Sequence, residues 1–380
     1  MNFISFSFHP QINAGISAAG YSTPTAIQLH TIPPILEGRD VLGLAQTGTG
    51  KTAAFVLPIL QHLMVGARGK LRALILSPTR ELAEQTHTVI KDLGRQTGLH
   101  SVTIYGGVSA ALQVKGLRAG AEIAVACPGR LLDLLGQRRV NLSSIEVLVL
   151  DEADRMFDMG FLPDIRRILA ALPASRQTML FSATMPAELN TLVDEFLRRP
   201  VKVEIDTARP VESISHALYP VEQGYKSELL QALLRQANGQ MGSRNDGSQV
   251  LVFTRTKHRA RKVAHQLNKA GFSAASLQGD LSQGQRQQAM DGFRSGRIKI
   301  LVATDIAARG IDVTQISHVI NYDMPDTADA YTHRIGRTGR MARRGAAVSL
   351  VTREDLPMVK RIERNLGRAL EHRQLELSLN

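Results

Sequence analysis

Two short runs of residues have the types and spacing that phosphate chemistry needs. Residues 45–52 read Ala-Gln-Thr-Gly-Thr-Gly-Lys-Thr. The glycines let the backbone approach phosphate, and the lysine can neutralise phosphate charge. Residues 151–154 read Asp-Glu-Ala-Asp and follow the apolar run 147–150. A carboxylate at the tip of a buried strand can hold a metal ion while its neighbour handles water, so the two runs together predict a nucleotide-hydrolysing site.

Each residue of these runs can be given a role. Lys51 would neutralise the β- and γ-phosphates, and Thr52 and Asp151 would ligate Mg²⁺. Glu152 would deprotonate the attacking water, and Asp154 would reach basic or hydroxyl groups that sense the nucleotide. An ordinary glycine-rich turn and a solvated acidic turn are the plain alternatives, but the acids stand where an apolar strand ends. The predicted phosphate-binding residues are Ala45, Gln46, Thr47, Gly48, Thr49, Gly50, Lys51 and Thr52.

A third run, His-Arg-Ile-Gly-Arg-Thr-Gly-Arg at residues 333–340, is rich in arginine. Arg334, Arg337 and Arg340 are spaced by three residues and could share one helix face. The glycines between them favour a close approach over a plain surface helix. Guanidinium groups can stabilise charge on a transferring phosphoryl group. The alternative is a basic patch that touches RNA phosphates, and different arginines of the run could do either.

These runs need strands and helices to position them. Apolar strand-like runs alternate with stretches of helical spacing such as 82–93 and 259–270, which predicts parallel sheets covered on both faces by helices. Two such series predict two α/β domains, residues 1–206 and 216–380, with a linker at 207–215 and a polar loop at 238–248. The predicted strands are 40–44, 73–77, 102–105, 123–126, 147–150, 178–181, 201–205, 217–220, 250–254, 274–277, 300–303, 318–322 and 346–351.

The charge of the 380-residue chain is uneven. The net charge is +12, and residues 1–206 carry 20 basic and 18 acidic side chains, whereas residues 207–380 carry 26 and 16. A basic second half suggests a polyanionic partner, with nucleic acid favoured over membrane. A well-solvated cationic surface is the alternative.

Several classes of protein are disfavoured by the sequence. Cys127 is the only cysteine, so an intrachain disulfide is impossible and a reducing compartment fits. The cysteine and scattered histidines give no zinc spacing. No apolar run approaches the ~20 residues of a membrane span. The N-terminus shows no signal-peptide pattern, so we expect a cytoplasmic protein without a membrane partner.

With these motifs in this order, the chain resembles the DEAD-box RNA helicases of helicase superfamily 2, and most of all their bacterial RhlE-like branch. Asp-Glu-Ala-Asp at 151–154 is the run that names the family. Residues 20–28 resemble the family's Q motif, which implies that Gln28 reads the adenine edge. Tyr21 and Thr25 belong to the same motif, and Phe3, 17 residues before Gly20, matches its upstream aromatic residue.

The resemblance extends to the motifs that contact RNA and couple the domains. It implies coupling roles for Asp154, Ser182, Thr184 and Arg334, with His333 and Arg334 linking the domains through the 151–154 turn. Arg337 and Arg340 match the family's γ-phosphate fingers, and Gly310 and Asp312 belong to the motif that touches the ribose. The residues implied to contact RNA are Pro78, Thr79, Arg80, Gly107, Pro128, Gly129, Arg130, Thr254, Arg255, Gln278, Gly279, Thr304, Asp305 and Arg309.

Two departures from the family pattern bear on RNA binding. Cys127 stands where the family usually has Thr before Pro-Gly-Arg, which removes one hydroxyl contact to phosphate. The sequence ends at Asn380 without the long basic tail common in this branch. The resemblance therefore gives no expectation about a choice of RNA that depends on such a tail.

The resemblance implies two tandem RecA-like domains, each a mainly parallel sheet with helices on both faces, and ATP and RNA sites at the interdomain cleft. The expected activity is ATP hydrolysis, with Mg²⁺, coupled to local unwinding of short RNA duplexes or remodelling of RNA–protein complexes. We expect a monomer that binds single strands and short duplexes without sequence preference, with ribosomal or RNA-decay assemblies as candidate partners. A DNA helicase or translocase and a nucleotide-gated RNA clamp are the rival hypotheses.

Overall fold

The structure, a computed structural model, describes residues 2–46, 48–185, 187–205, 214–236, 249–308, 316–338 and 345–374. The chain divides into two compact units, Met1–Thr207 and Ala208–Asn380. Each unit is built around its own sheet, and every strand pair found among the described residues is parallel.

In the described part of the first unit, seven strands pair in the order β3-β4-β2-β5-β6-β1-β7. The strands are β1 Val41–Leu44, β2 Ala73–Leu76, β3 Ser101–Ile104, β4 Ile123–Ala126, β5 Val147–Asp151, β6 Gln177–Ser182 and β7 Val201–Glu204. The helices are α1 Pro10–Ala18, α2 Ala26–Leu36, α3 Lys51–Leu63, α4 Arg80–Leu93, α5 Ala110–Arg118, α6 Pro128–Gly136, α7 Ala153–Asp158, α8 Leu162–Ala170 and α9 Ala187–Phe196.

The continuous apolar character of the central strands follows from burial on both faces of the sheet. In β2, Ala73 and Ile75 enter one hydrophobic core with Phe55 of α3. Leu74 and Leu76 enter the core on the opposite face. In a parallel sheet the crossover helices cover both faces. Side chains on both sides of a central strand are therefore buried, so apolar residues do not alternate with polar ones along these strands.

The second unit repeats this architecture, and its described strands pair in the order β10-β11-β9-β12-β13-β8-β14. The strands are β8 Ile214–Pro220, β9 Gln249–Phe253, β10 Ala274–Leu277, β11 Ile300–Ala303, β12 Ile316–Asn321, β13 Gly345–Val351 and β14 Glu371–His372. The helices are α10 Lys226–Gln236, α11 Lys257–Lys269, α12 Gln283–Arg294, α13 Asp305–Ala308, α14 Ala328–Ile335 and α15 Leu356–Leu366.

The structure departs from the sequence predictions at three places. Strand β8 begins at Ile214, inside the predicted linker, because Ile214 pairs with Gly345 at the start of β13. The two-residue strand β14 was not predicted, since a strand that short has no period to detect. Helix α14 ends at Ile335, so Arg334 and Arg337 do not share a helix face as predicted. Most of the predicted linker and the whole 238–248 loop lie outside the described residues.

Candidate nucleotide site and nucleic-acid interface

The phosphate loop connects the end of β1 to the start of α3, at the carboxyl edge of the first sheet. Gly48 and Gly50 have φ of 87° and 94°, backbone conformations that other residues rarely adopt. A Cβ added to Gly50 would lie 2.5 Å from Nε2 of Gln28, so a side chain there would also collide with the Q-motif residue. The loop is held to the neighbouring strand, because the Ala45 N–H donates to the carbonyl of Ser182 at 3.0 Å.

Lys51 is the first residue of α3 and is buried. Its ammonium group donates a hydrogen bond to the carbonyl of Ala45 at 2.6 Å, across the loop. Burial lowers the pKa of Lys51, while the carboxylates of Glu152 and Asp151 act in the opposite direction. A buried cation hydrogen-bonded to the glycine-rich loop suits a bound polyphosphate.

Asp151 and Glu152 stand side by side where β5 ends, and both are buried. Glu152 has φ 52° and ψ 52°, a left-handed conformation that is uncommon for a residue with a side chain. Such outliers persist only where the surrounding structure holds them, and they are frequent at functional sites. Burial, and then the neighbouring Glu152 carboxylate, raise the pKa of Asp151 to about 7.

These carboxyl groups fit a magnesium ion. Burial and the Glu152 carboxylate raise the pKa of Asp151 even though Lys51 and Arg155 lie nearby, so a divalent cation beside these two carboxyl groups would stabilise their charge. Among the described residues, no three His, Cys, Asp or Glu side chains converge on one point. Few protein ligands are what Mg²⁺ needs when substrate phosphates and water complete its shell. Asp151 and Thr52 therefore remain the predicted ligands.

Asp154 ties the acidic turn to the end of β6. Its carboxylate accepts hydrogen bonds from the backbone N–H groups of Ala183 and Thr184 at 3.1 and 2.9 Å, and from the Thr184 hydroxyl at 3.0 Å. The Ser182 hydroxyl accepts from the Asp154 N–H at 3.3 Å and donates to the Thr184 carbonyl at 2.7 Å. Three of the four predicted coupling residues, Asp154, Ser182 and Thr184, thus form one hydrogen-bonded group within the first unit.

Arg155 is a site residue that the sequence analysis missed. Its guanidinium group donates to Glu152 at 2.5 Å, and both side chains are buried. The contact orients the predicted base and offsets its charge. The signal was present in the sequence, since Glu152 and Arg155 are separated by three residues at the start of a helix, where opposite charges meet.

The Q-motif residues lie against the phosphate loop. The Gln28 side chain is buried, accepts from the Thr25 N–H at 2.9 Å and donates to the Gly50 carbonyl at 3.0 Å. Phe3 packs edge-on against Tyr21, with ring centroids 5.9 Å apart. The predicted base-reading amide is therefore also a structural part of the loop that would hold the phosphates.

The residues predicted to bind RNA in the first unit follow β2, β3 and β4, at the same sheet edge. Arg80 lies against Gly107, where a Cβ would come within 2.3 Å of the guanidinium group. Arg130 donates to the carbonyl of Val108 at 3.2 Å, which brings the third predicted motif to the same place. Pro78 and Thr79 precede α4, and Pro128 and Gly129 begin α6.

Cys127 occupies the N-cap position of α6 without a side-chain cap hydrogen bond. Burial, and then the nearby Glu81, raise the pKa of its thiol to about 12. The side chain is therefore a neutral thiol at physiological pH. Threonine, which is usual in the family, is a favoured N-cap residue, so its replacement leaves one helix N–H group without a side-chain acceptor.

In the second unit the residues predicted to bind RNA follow β9, β10 and β11. The Arg255 N–H donates to Asp323 at 2.9 Å, and its side chain is half exposed. Gln278 is buried and accepts from the Asp280 N–H at 2.6 Å, which shapes the turn that contains Gly279. Thr254 lies directly after β9 and is fully buried, so neither its side chain nor its backbone is exposed for the predicted RNA contact.

Arg334 is bound inside the second unit. Its guanidinium group makes two hydrogen bonds of 2.6 Å to the Asp305 carboxylate. It also donates to Asn321 and lies 4.9 Å from the ring centroid of Phe253. The side chain of Asp305, which was predicted to contact RNA, is therefore occupied by its ion pair with Arg334. Asp305 begins α13 directly after Thr304, so this pair fixes the start of the predicted RNA motif.

Arg337 is buried after the end of α14, and the neighbouring Thr338 hydroxyl donates to the carbonyls of Ile316 and Ser317. The side chain of His333, on α14, is partly buried. Some predicted site residues lie outside the described residues: Thr47, Arg309, Gly310, Asp312 and Arg340. Within the described ranges, no helix is both long and apolar enough to span a bilayer.

The parallel sheet, the glycine-rich phosphate loop and the acidic strand tip define a P-loop nucleoside triphosphatase. Comparison with known families narrows this class. The model of the DEAD/DEAH box helicase family matches residues 25–192, and that of the helicase conserved C-terminal domain matches residues 225–342.

Individual relatives agree with the family models. The RNA helicase CrhR of Synechocystis is 43% identical over 354 residues, which cover 93% of this chain and 70% of the relative. The ATP-dependent RNA helicase DeaD of Mycobacterium tuberculosis is 43% identical over 375 residues, 98% of this chain and 65% of the relative. The chain thus spans about two thirds of these relatives.

Solved structures show the same fold. The S. cerevisiae protein Dbp5 bound to RNA and ADP BeF3 has a TM-score of 0.84 at 30% identity, covering 98% of this chain and 95% of that one. The DEAD-box helicase Mss116 bound to ssRNA and UDP-BeF has a TM-score of 0.87 at 25% identity, covering 99% and 80%.

The chain therefore belongs to the DEAD-box family of ATP-dependent RNA helicases. The predicted family, the predicted fold of two tandem RecA-like domains and the predicted enzyme class are confirmed. The relatives carry the names CrhR and DeaD, so the narrower resemblance to the RhlE-like branch stays a prediction.

Proposed function

We propose that the chain hydrolyses ATP in response to RNA and uses the reaction to separate short duplexes locally or to remodel RNA–protein complexes. One observation carries the proposal. The carboxyl edge of the first sheet places Lys51, Asp151 and Glu152 close enough for their charges to interact, and Asp154 hydrogen-bonds the Ser182–Thr184 segment beside them. The residues proposed to bind phosphate, to activate water and to respond to the nucleotide are thus adjacent.

The proposed chemistry divides among these residues. Lys51 exchanges the Ala45 carbonyl for phosphate oxygens, and the loop N–H groups hold the remainder of the polyphosphate. Glu152, oriented by Arg155, takes the proton of the attacking water. Asp151 and Thr52 would hold Mg²⁺, which when bound offsets the charge of the phosphate oxygens. Gln28 would read the adenine base.

Hydrolysis in this proposal needs residues from both units. The first unit supplies the carboxylates, and the second supplies Arg337 and Arg340 to stabilise charge on the transferring phosphoryl group. Arg334 is bound to Asp305, so its coupling role would act through the start of α13 and the adjoining RNA motif. His333 would act beside it.

RNA affinity is proposed to arise mainly from phosphate contacts, so it should ignore sequence and fall with salt. Preference for RNA over DNA requires contacts to the 2′-hydroxyl or to A-form shape. We propose a cytoplasmic monomer, with ribosomal or RNA-decay assemblies as candidate partners.

The direct test measures the ATPase rate of the unmodified protein against rising concentrations of RNA and of DNA with the same sequence. We expect RNA to raise the rate several-fold and DNA to have little effect. Strand separation of a short RNA duplex is measured in the same solutions. Equal stimulation by DNA would show a DNA helicase or translocase instead. Slow turnover with long retention of RNA and no strand separation would favour the nucleotide-gated clamp.

The preference of the enzyme for adenine or guanine nucleotides gives a separate prediction for Gln28. The wild type should prefer ATP over GTP, and Gln28→Ala should lose this preference, a change of about tenfold for the loss of one or two hydrogen bonds. Competition titrations with both nucleotides measure the ratio. Because Gln28 also holds Gly50, affinity for both nucleotides should fall. If both fall by the same factor and the ratio is unchanged, Gln28 is a structural amide only.

A further inference from the structure

The solvent-facing side of α11 is basic along its whole length. The side chains that bury the helix are Ala260, Val263, Ala264 and Leu267. The opposite side carries a set of exposed residues that we name the basic face: Lys257, His258, Arg261, Lys262, His265 and Lys269. The sequence of α11 contains no acidic residue, so this helix holds a large part of the positive charge that distinguishes the second half of the chain.

The stability of the helix does not explain this composition. The first turn of α11 contains no acidic residue, although acids are favoured there by the helix dipole. Basic residues instead begin the helix at Lys257. Lys257 and Arg261 are four residues apart, and like charges at this spacing are destabilising. A solvated helix normally mixes both signs of charge, so the basic face carries a local repulsion that a polyanion would relieve.

Neighbouring acids neutralise little of the basic face. Among the ion pairs of the described residues, Asp280 is the one carboxylate that contacts it, at 2.9 Å from Lys257 and 3.8 Å from Arg261. Arg259 pairs with Asp323 at 2.6 Å, but it lies off the face and is partly buried. Positive charge therefore remains toward the C-terminal end of α11, around Lys262 and Lys269.

The position of the basic face indicates which polyanion it would meet. Helix α11 is capped by Thr256, directly after Thr254 and Arg255, two of the residues predicted to contact RNA. The ion pair of Lys257 with Asp280 places the same helix end next to Gly279, a third predicted contact. Thirteen residues of helix span about 18 Å, so the face starts at the predicted RNA residues and leads away from them.

We propose that the basic face binds the backbone of RNA that extends beyond the segment held by the family motifs. The contacts would be made to phosphates by Arg261, Lys262 and Lys269, without reading base sequence. The face would add affinity for long or structured RNA and leave short RNA unaffected. This inference rests on the proposed function, since it assumes that the residues at the start of α11 contact RNA.

The test compares two triple variants of the full chain. In the first, Arg261→Gln, Lys262→Gln and Lys269→Gln remove charge from the basic face. In the control, Lys360→Gln, Arg361→Gln and Arg364→Gln remove three exposed charges from α15. The two helices pack on opposite faces of the same sheet. Helix α11 belongs to the hydrophobic core that contains Val348 and Leu350 of β13, whereas α15 belongs to the core that contains Ala347 and Val351.

Two RNAs are used with each protein: a short single strand, and the same strand extended by a hairpin duplex. We expect the α11 variant to bind the extended RNA about tenfold more weakly, while the short RNA binds as it does to wild type. The slope of log affinity against log salt for the extended RNA should fall by about 2, as expected for three lost phosphate contacts. The α15 variant should behave as wild type with both RNAs.

Three results would overturn the proposal. Unchanged affinity and salt slope with the extended RNA would show a merely solvated face. An equal loss with both RNAs would place the effect in the predicted motif contacts instead. Unchanged RNA binding with loss of binding to an acidic peptide would point to a protein partner. ATPase stimulation of the wild type by the short RNA tests the proposed function independently. A failure of the proposed function can therefore be distinguished from a failure of the proposal for the basic face.

Discussion

Glu152→Gln should stop ATP turnover while leaving ATP binding largely intact. The substitution keeps the shape of the side chain and an oxygen that can accept the hydrogen bond from Arg155. It removes the group that would take the proton from water, and loss of a general base typically costs 10²–10⁴-fold in rate. We expect turnover to fall by at least ~100-fold, measured as phosphate release at saturating ATP and RNA.

Lys51→Ala gives the contrasting result at the same site. Because Lys51 is the buried cation of the phosphate loop, its loss should weaken nucleotide binding itself and nearly abolish hydrolysis. Glu195→Gln is the matched control for the carboxylate, since Glu195 forms an exposed ion pair with Arg166 and such pairs contribute little. Wild-type turnover in Glu152→Gln would remove this residue from the role of base.

Arg337→Ala should reduce RNA-stimulated ATP turnover by about 10³–10⁵-fold, the range measured for an arginine that stabilises charge on a transferring phosphoryl group. Binding of ATP to the first unit should largely survive, because the phosphate loop and the carboxylates belong to that unit. Nucleotide titration and steady-state turnover separate these two effects. Arg340→Ala is expected to act in the same way.

The burial of Arg337 requires a check on folding. Thermal unfolding of Arg337→Ala is therefore compared with wild type and with Arg361→Ala, which removes an exposed arginine from α15. Turnover within a few-fold of wild type in a folded Arg337→Ala protein would show that Arg337 does not stabilise charge on the transferring phosphoryl group. Equal loss of ATP binding and turnover would also contradict the proposed role.

The sequence was most informative where function is carried by local geometry. Gly48 and Gly50 adopt the positive φ that a phosphate loop requires, and Asp151 stands at the strand end where the apolar run predicted it. Each of these features is formed by a few consecutive residues, so the sequence pattern was sufficient to predict the local backbone geometry. The parallel sheets followed from the alternation of apolar runs and helical stretches.

Features that depend on residues far apart in the chain could not be predicted in detail. The hydrogen bonds from Ala183 and Thr184 to Asp154, and the contact of Gln28 with Gly50, require the strand order and the exact turn geometry. The spacing of Arg334 and Arg337 suggested one helix face, but α14 ends between them. Spacing alone does not say where a helix stops, and Gly336, directly after Ile335, is the residue that signals the end of α14.

Along the carboxyl edge of the first sheet, the strand order places the predicted nucleotide site and the predicted RNA contacts in separate halves. The predicted nucleotide and coupling residues of this unit lie at or after the ends of β1, β5 and β6, which are neighbours, and the predicted RNA residues follow β2, β3 and β4 on the other half. Loops on a shared rigid sheet can diverge independently, because each is anchored by its own strand. Cys127, after β4, departs from the family while the loop after β1 keeps its glycines and lysine. Because separate strands anchor the two groups of loops, a substitution in a predicted RNA loop can be accommodated without displacing the residues of the predicted nucleotide site.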